Sequence, residues 1–237
     1  MGTLSPTKGT AMTEPTDLSA IDAVTGRHSM RRFLSDPIPE ETIRAILAAA
    51  ARAPSGTNSQ PWKVHVVTGA ARDRVSSAAL EAAKAGERSE EYAYMPSPFP
   101  EPYKTRRREV GFALYELYGI ARDDMAGRMA AMLRNFEFFG APVGLFFSMD
   151  RAMEYGSWLD CGMFMQNVMI VARAHGLETC PQQAWCEFGR TVHQALDLPE
   201  DQVLISGMAM GVADPDAPEN TLVSKREAVD GFATFLS

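Results

Sequence analysis

The chain has 237 residues, of which 46% are hydrophobic and 22% charged, a composition typical of a globular protein that buries its own core without disulfides or metals. Its 23 basic and 30 acidic residues leave a net charge of −7, which disfavours general nucleic-acid binding. No apolar run approaches the roughly 20 residues of a membrane span, no secretory signal is recognisable, and three cysteines suit a reducing compartment. We therefore expect a cytoplasmic protein with neither membrane nor nucleic acid as a partner.

The N-terminal region differs in composition from the rest of the chain. Residues 1–17 are rich in Thr, Ser, Pro and Gly and are predicted to form a flexible tail, in which Met12 could serve as an alternative start. Residues 18–237 contain no second linker and no repeat, which predicts a single domain. A helix over 18–26 ends at a glycine, and apolar residues at helical spacing predict a second helix over 39–53.

Strand and helix signals alternate through the rest of the chain. We expect 62–68 to be a buried strand and 155–175 to be a long, well-buried helix. Few strands among many helices predict an α+β or α/β sandwich and exclude a propeller, solenoid or barrel. The remaining predicted strands are 142–149, 177–182 and 202–211, and the remaining predicted helices are 70–86, 104–119, 123–139 and 187–196.

Residues 92–103 (YAYMPSPFPEPY) carry four prolines and four aromatic residues, which exclude a helix interior. The segment is either a surface loop or, together with the basic run up to Arg108, a substrate-facing flap over 92–108, because long irregular segments often serve function. The candidate substrate-binding residues are Tyr92, Tyr94, Phe99, Tyr103 and Arg107.

Several common catalytic constellations are missing from the sequence. The glycines near the C-terminal strand have the wrong spacing for a dinucleotide-binding turn, and neither a Walker loop nor a nucleophile elbow occurs. His175, Cys180, Cys186 and His193 lack the spacing of zinc ligands, so no metal site is predicted.

Two segments carry more specific signals. In RHSMRRF, residues 27–33, side chains at alternate positions of an extended chain project to one side, so two guanidinium groups and a hydroxyl can surround one phosphate. In APSGTNSQPW, residues 53–62, exposed amides with Asn58 and Gln60 suit a planar heterocycle with donors and acceptors. Taken alone, the first segment is equally readable as a solvated basic turn and the second as a plain helix-to-strand loop.

As a pair, in this order, the two segments resemble the FMN-dependent nitroreductase family. RHSMRRF is similar to that family's R-x-S-x-R-x-F opening, and APSGTNSQPW is similar to its P-S-x-x-N-x-Q-P-W loop. The resemblance covers residues 20–235. It continues through PVGLFF, Cys161-Gly162-Met163, Gln166-Asn167, GLETCPQ and the final Gly-x-Ala-x-Gly strand.

The resemblance implies an α+β nitroreductase-like sandwich, with a central, mainly antiparallel sheet flanked by helices. It also implies an intertwined homodimer with C-terminal exchange and FMN at the subunit interface. Carried over position by position, the resemblance assigns the FMN phosphate to Arg27, His28, Ser29 and Arg226, with Lys225 as the alternative to Arg226. It places Arg31 at the N1/O2 edge of the flavin ring. It assigns contacts from the partner subunit to Ser55, Gly56 and Asn58, and packing on the ring to Pro181, Gln182 and Gln183.

Two departures from the family pattern accompany this assignment. The helix SSAALEAAKAG offers no Asn where many relatives bind the flavin, and Gln183 stands where some relatives have a Glu over the ring.

The implied activity is an NADPH- or NADH-dependent reduction of a small nitroaromatic or quinone-like acceptor by ping-pong hydride transfer through flavin N5. Since the flavin carries the chemistry, no catalytic side chain is predicted. The basic run Lys104, Arg106, Arg107 and Arg108 is either a solvated helix face or a site for the NADPH 2′-phosphate or an anionic substrate. The alternatives are an FMN-dependent reductive dehalogenase, an enone reductase or a non-catalytic flavin-binding protein.

Overall fold

The computed structural model of the chain describes residues 16–237, so most of the predicted tail lies outside the described residues. Its centre is a four-stranded sheet of order β1-β2-β4-β3 in which every neighbouring pair is antiparallel, as the sequence predicted. The strands are β1 (Lys63–Thr68), β2 (Val143–Asp150), β3 (Glu178–Gln182) and β4 (Gln202–Gly211).

Alternation along β2 divides the core into two apolar layers. Leu145 and Phe147 enter one layer, whereas Phe146 points to the opposite face and enters the other. Trp185 is fully buried in this second layer, and a side chain at Gly207 of β4 would collide with its indole ring. The glycine therefore lets the indole lie directly against the sheet.

Helices cover both faces of the sheet. Helices α2 and α6 pack together over one layer, and α3 packs on α7 over the other. The α-helices are α1 (Ala20–Thr25), α2 (Glu40–Ala50), α3 (Gly69–Ala85), α4 (Tyr103–Leu117), α5 (Met125–Leu133), α6 (Tyr155–Ala174) and α7 (Gly189–Leu196); short 3-10 segments cover Gly56–Asn58, Arg134–Gly140, Gln183–Phe188, Pro218–Thr221 and Val229–Gly231.

The prediction of a buried strand over 62–68 was wrong about burial. Within residues 16–237, strand β1 pairs only with β2 and lies at the sheet edge. Val67 is its one buried residue, and Val66 is 41% exposed. Its run of β-branched residues indicated a strand, but periodicity alone does not say whether a strand is central or at an edge.

The predicted helix over 123–139 was also wrong beyond its first half. Helix α5 ends at Leu133, and the following turn places Phe138 and Phe139 at positive φ values of 51° and 55°. Phe138 is fully buried with its ring 4.8 Å from that of Trp185, so tertiary packing outweighs local helix propensity here. The predicted helix over 187–196 likewise begins later, at Gly189.

Helix α6 was expected to be well buried, yet one of its faces is apolar and open to solvent. Tyr155, Leu159 and Met163, spaced four residues apart, are 86%, 72% and 40% exposed. The C-terminal segment also leaves apolar side chains open to solvent: Phe232, Phe235 and Leu236 are 72%, 81% and 92% exposed. Such large apolar surfaces in a single chain are typical of a protein-protein interface.

Candidate functional site

A cavity of about 500 Å³ is lined by residues from 24–28 and from 223–226, which lie far apart in the sequence. Arg27 and His28 follow α1 directly, whereas Arg226 lies in the C-terminal segment after the sheet. Gln166 projects into the same space from α6. We call this space the Arg27 cavity; its other lining residues are Val24, Thr25, Val223 and Ser224.

The backbone around Arg27 is fixed by contacts with distant segments. Each ring nitrogen of His28 faces a carbonyl oxygen, with Nδ1 3.2 Å from that of Gly26 and Nε2 2.9 Å from that of Asn220. The backbone N–H of Met30 donates to the Thr179 carbonyl on β3 at 3.2 Å. The segment is therefore anchored on both sides and does not form a mobile basic turn.

The side chain of Asn220 is the main anchor of this segment. Its Oδ1 accepts hydrogen bonds from the backbone N–H groups of Arg31 at 2.7 Å and Arg32 at 3.2 Å. Its Nδ2 donates to the carbonyls of Arg32 at 2.8 Å and Asp214 at 3.0 Å. Because Asn220 is buried, all four bonds are shielded from water, and this one amide holds the segment in an extended shape.

Glu219 adds a buried charge beside this anchor. Its carboxylate is 2.9 Å from Arg32 Nε and 3.0 Å from Arg134 Nη1. Burial by itself raises the pKa of Glu219, but its own backbone N–H and the two guanidinium groups outweigh burial, so the net pKa is lowered. Arg134 also donates to the carbonyl of Arg31 at 2.8 Å, which ties the same segment to the start of the 3-10 turn.

The structure does not place Ser29 and Arg31 among the residues that line the Arg27 cavity. Arg31 is half-buried, and its Nη1 donates to the carbonyl of Ser29 at 3.1 Å. Both residues lie near the buried Cys180 of β3. Burial raises the pKa of the Cys180 thiol, and the charge of Arg31 and a hydrogen bond with Ser29 oppose that rise. The charge of Arg27 opposes the rise as well, so all three residues of the predicted phosphate-binding group lie near Cys180, although only Arg27 lines the cavity.

The loop after α2 is exposed and strained. Thr57, Asn58 and Gln60 have positive φ values of 51°, 63° and 49°, a conformation that is costly for residues with a side chain. It is held at its base, where the Gly56 N–H donates to Asp160 of α6 at 3.2 Å, and the Gln60 N–H to Ser55 Oγ at 3.0 Å. The side chain of Asn58 is left open to solvent, as a residue that contacts a ligand or a second subunit requires.

The segment that ends β3 has one open and one buried glutamine. Pro181 pairs with Met208 of β4, and Gln183 is exposed just beyond the strand. Gln182 is 2% exposed and donates to the Asn135 carbonyl at 2.7 Å, while its Oε1 has no hydrogen-bond partner among residues 16–237. A buried acceptor of this kind is costly unless a ligand or water satisfies it.

Tyr92 and Tyr94 anchor the proline-rich segment and are not freely offered to a ligand. The Tyr92 hydroxyl donates to the Ile205 carbonyl at 2.8 Å, and the Tyr94 hydroxyl donates to the Glu187 carboxylate at 2.7 Å. Burial is the main reason why the pKa of each phenol is raised well above its usual value. Next to them, the buried carboxylate of Glu91 is ion-paired with Arg151 and lies 3.4 Å from His193 Nε2.

Residues 92–108 do not form one continuous flap, because α4 begins at Tyr103. Tyr103 is 55% exposed, with the Arg106 guanidinium 5.7 Å from its ring centroid. Phe99 and Arg107 line a second cavity, of about 520 Å³, between the proline-rich segment and α4. We call this the Arg107 cavity; none of its lining residues lines the Arg27 cavity.

The donor set of the Arg27 cavity matches a phosphate ester. Arg27 and Arg226 supply two guanidinium groups, and Ser224 and Gln166 add a hydroxyl and an amide. His28 also lines the cavity, but both of its ring nitrogens already face protein carbonyls. Guanidinium groups bind phosphate oxygens in pairs of parallel hydrogen bonds, so two of them in one cavity favour an anionic group over a neutral one.

Comparison with known proteins decides the family. The sequence model described as "Nitroreductase family" matches residues 24–212. This chain belongs to the nitroreductase family. The predicted family is thereby confirmed, and the matched residues include the RHSMRRF and APSGTNSQPW segments from which it was inferred.

Curated nitroreductases match nearly the whole chain. The chloronitrobenzene nitroreductase of Comamonas testosteroni is 40% identical over 94% of this chain and 99% of its own length. The 4-nitrobenzoate reductase of Pseudomonas putida is 38% identical over 90% of this chain and 93% of its own length.

A solved relative confirms the predicted fold. The crystal structure of the FMN and NADPH-dependent nitroreductase NfnB from Sphigopyxis sp. strain HMH matches with a TM-score of 0.91 and 41% identity, over 93% of this chain and 100% of that chain. The α+β sandwich with an antiparallel central sheet is therefore that of a nitroreductase. The C-terminal exchange between subunits stays a prediction.

Several residues that build this nitroreductase's site carried no usable signal in the sequence. Asn220 and Glu219 are ordinary polar residues in a Pro-rich segment, and Arg31 is 189 positions away from the amide that anchors it. Asp160 is the one acidic residue of α6, and its presence in a largely apolar helix would have been the signal for a buried contact, which it makes with the loop at Gly56.

The cysteines and the remaining polar clusters add no second centre. All three cysteines are free and buried, and burial raises the pKa of Cys161 and of Cys186 to about 12, so these thiols are poor nucleophiles. Among residues 16–237, no group of three His, Cys, Asp or Glu side chains is arranged to hold a metal ion. In the same part of the chain, no helix is long and apolar enough to cross a membrane.

Proposed function

We propose that this nitroreductase binds FMN and uses NADPH or NADH to reduce nitroaromatic or quinone-like acceptors. The observation that carries the proposal is the Arg27 cavity, where the guanidinium groups of Arg27 and Arg226 line one space beside His28 in a chain of this family. The dependence of a close structural relative on FMN and NADPH supports the same cofactor and reductant here.

The phosphate end of FMN is assigned to the Arg27 cavity. Arg27 binds it through its guanidinium group. The contact between His28 and the Asn220 carbonyl already fixes the neighbouring backbone, so little conformational freedom is lost on binding. Arg226 supplies the second guanidinium, and its exposure makes it the more adjustable of the two. Ser29 is retained as a proposed phosphate contact at the rim, and Lys225 is the alternative to Arg226.

The ring end of FMN is assigned to residues near the end of β3. Arg31 supplies a positive charge at the N1/O2 edge, which favours the negative charge that the ring gains on reduction. Pro181, Gln182 and Gln183 pack on the ring, and the unpaired Oε1 of Gln182 is a ready acceptor for a polar ring atom. Ser55, Gly56 and Asn58 reach the ring from the partner subunit, which accounts for the exposed, strained loop.

The protein's own residues bind and orient, and none is assigned as a catalytic acid or base. FMN, when bound, supplies two-electron hydride chemistry at N5. Reductant and acceptor occupy the same open face in turn, so initial rates are expected to follow ping-pong kinetics. Parallel lines in double-reciprocal plots against both substrates would support this, and intersecting lines would contradict it.

We propose a homodimer in which the C-terminal segment crosses to the partner. The apolar stripe of Tyr155, Leu159 and Met163 and the exposed Phe235 and Leu236 support it, because a single chain leaves all of them in water. Light scattering of the intact chain is expected to give a dimer mass, and deletion of residues 229–237 is expected to weaken dimerisation. An intact monomer at micromolar concentration would contradict the proposal.

The visible spectrum of the purified protein tests the whole proposal. We expect a bound flavin that bleaches on anaerobic addition of NADPH and recovers its colour on addition of nitrobenzene. Bleaching without nitrobenzene turnover would favour the dehalogenase or enone reductase alternatives, which halotyrosine and enone substrates would separate. A flavin that does not bleach with either nicotinamide would indicate a binding protein, and a protein that binds no flavin would refute the proposal.

Three buried free thiols support a cytoplasmic location.

A further inference from the structure

The Arg107 cavity lies apart from the residues assigned to FMN. It opens between the proline-rich segment and the first turns of α4 and has a volume of about 520 Å³. Its walls combine aromatic rings with cations, namely Phe99, Phe112 and Tyr115 together with Lys104, Arg107 and Arg108.

The cations of this cavity have no acidic partners. Among the residues that the structure describes, no carboxylate forms an ion pair with Lys104, Arg107 or Arg108, although the chain as a whole is acidic. Arg106, in the middle of the same basic run, turns away from the cavity and pairs with Glu227. The basic run therefore has two faces on the helix. Arg106 is neutralised by Glu227 on one face, and Lys104, Arg107 and Arg108 face the cavity without an ion-pair partner among the described residues.

The aromatic rings hold two of these charges in place. The Arg107 guanidinium lies 5.1 Å from the centroid of the Phe99 ring, and that of Arg108 lies 5.9 Å from the centroid of the Phe112 ring. A guanidinium on an aromatic face keeps its edge N–H groups free for a bidentate anion. The two groups are thus oriented for a ligand, with apolar ring surface beside them.

A neutral aromatic ligand would leave these three cations uncompensated, and a small inorganic anion would leave the aromatic walls without a partner. We propose that the Arg107 cavity binds an aromatic ring that carries an anionic group. Two kinds of molecule present this chemistry to a nitroreductase: an aromatic carboxylate acting as acceptor, and the adenosine 2′-phosphate end of a nicotinamide reductant. None of the residues that line the Arg107 cavity is assigned to FMN, so binding at this site can be measured separately from flavin binding.

Calorimetric titration of the purified protein, with whatever flavin it carries, tests the proposal. The probes are two matched pairs, benzoate with benzamide and adenosine 2′-monophosphate with adenosine. In at least one pair, we expect the anion to bind about tenfold more tightly than its neutral partner, since a favourable charge contact is worth about one factor of ten.

Two variants locate the site. In the double variant Arg107→Gln with Arg108→Gln, the affinity for the anion is expected to fall about tenfold, whereas Arg106→Gln removes the same kind of charge from the same helix and is expected to change it less than about twofold. Because α4 buries none of its residues, these changes should leave folding intact, which the circular dichroism spectrum and the melting temperature check.

The outcomes are decisive in both directions. If both anions bind no better than their neutral partners, if the double variant binds as well as the wild type, or if Arg106→Gln loses as much, the proposal is overturned. Tighter binding of adenosine 2′-monophosphate, with displacement by NADPH but not NADH, identifies the nucleotide as the ligand. Tighter binding of benzoate identifies an aromatic acid. A chain without flavin would refute the proposed function and still leave this titration interpretable.

Discussion

The Arg27 cavity rests on buried polar side chains, whereas the Arg107 cavity rests on a helix that buries none of its residues. Around Arg27, Asn220 and Glu219 hold the backbone through hydrogen bonds shielded from water. Around Arg107, the guanidinium groups lie over aromatic rings at the surface. The first arrangement fixes the backbone through buried contacts, and the second positions only side chains at the surface.

This difference matches the two kinds of ligand proposed. A group that stays bound gains from a rigid cavity, since the ordering cost is met during folding. A ligand that exchanges in every turnover tolerates a more adjustable surface. Mutations around Arg27 should therefore affect stability together with flavin affinity, and mutations around Arg107 should affect ligand affinity alone.

The largest change in the free energy of unfolding is expected from replacing Asn220. Replacing Asn220 with Ala removes four shielded hydrogen bonds and should lower the free energy of unfolding by about 3 kcal/mol, at roughly 1 kcal/mol per bond with partial compensation by water. Urea denaturation of the flavin-free protein measures this. Asn220→Asp keeps the acceptor but sets a carboxylate oxygen against the carbonyls of Arg32 and Asp214, so it should cost at least as much as the Ala variant. If the unfolding free energy of the Ala variant lies within about 0.5 kcal/mol of the wild type, Asn220 does not stabilise the segment as we infer.

The next effect concerns flavin affinity. Arg27→Gln should weaken FMN binding about 30-fold, because a charged hydrogen bond to phosphate is worth about 2 kcal/mol. Arg226 is more exposed, and Arg226→Gln should cost only about fivefold. Quenching of flavin fluorescence measures both. Arg107→Gln is the matched control and should bind FMN as the wild type does; an equal loss there would mean that overall charge and not the cavity determines affinity.

Acid stability should depend on Glu219. Its pKa is lowered in the folded protein, so its contribution is fully present above the usual value of about 4.5 and is lost as the pH falls through the folded value. Glu219→Gln should cost about 1.5 kcal/mol at pH 7, and the gap to wild type should close below about pH 4.5. Urea denaturation at pH 7, 4 and 3 checks this, and a gap that is constant across these pH values would contradict it.

The smallest expected effect is an absence of thiol reactivity. Because burial raises the pKa of Cys161 and Cys186 to about 12 and also raises that of Cys180, the folded protein should react with none of its thiols at pH 8 within minutes. Ellman's reagent counts accessible thiols, and all three cysteines should react once the protein is unfolded in urea. A fast-reacting thiol in the folded state would show that the core layer around it opens.

Much of the fold could be predicted because its signals are local. The continuous apolar runs of β2 and β4 indicated strands, and the helical spacing in α2 indicated a helix close to its observed bounds. The candidate site was proposed from RHSMRRF and APSGTNSQPW, which are local patterns as well. Their joint occurrence led to the family, which the comparisons confirm.

The errors arose where a residue's conformation depends on distant parts of the chain. Phe138 and Phe139 leave the helix because Trp185 offers a buried aromatic partner. Strand β1 is exposed because no further strand pairs with it, and α6 keeps an apolar face open that resembles core in its composition. In each case the local pattern was compatible with two environments, and packing chose between them.

The amino-acid sequence determined the family and the order of most elements, and it supplied the segments to which we assign the cofactor, because these follow from short-range periodicity and from motifs of a few residues. Only the tertiary structure decided that Arg27 meets Arg226, that Asn220 and Glu219 hold the backbone between them, and that a basic run divides into a paired Arg106 and an unpaired Arg107. Those outcomes depend on contacts between residues far apart in the chain, whose partners are set by the whole packing arrangement.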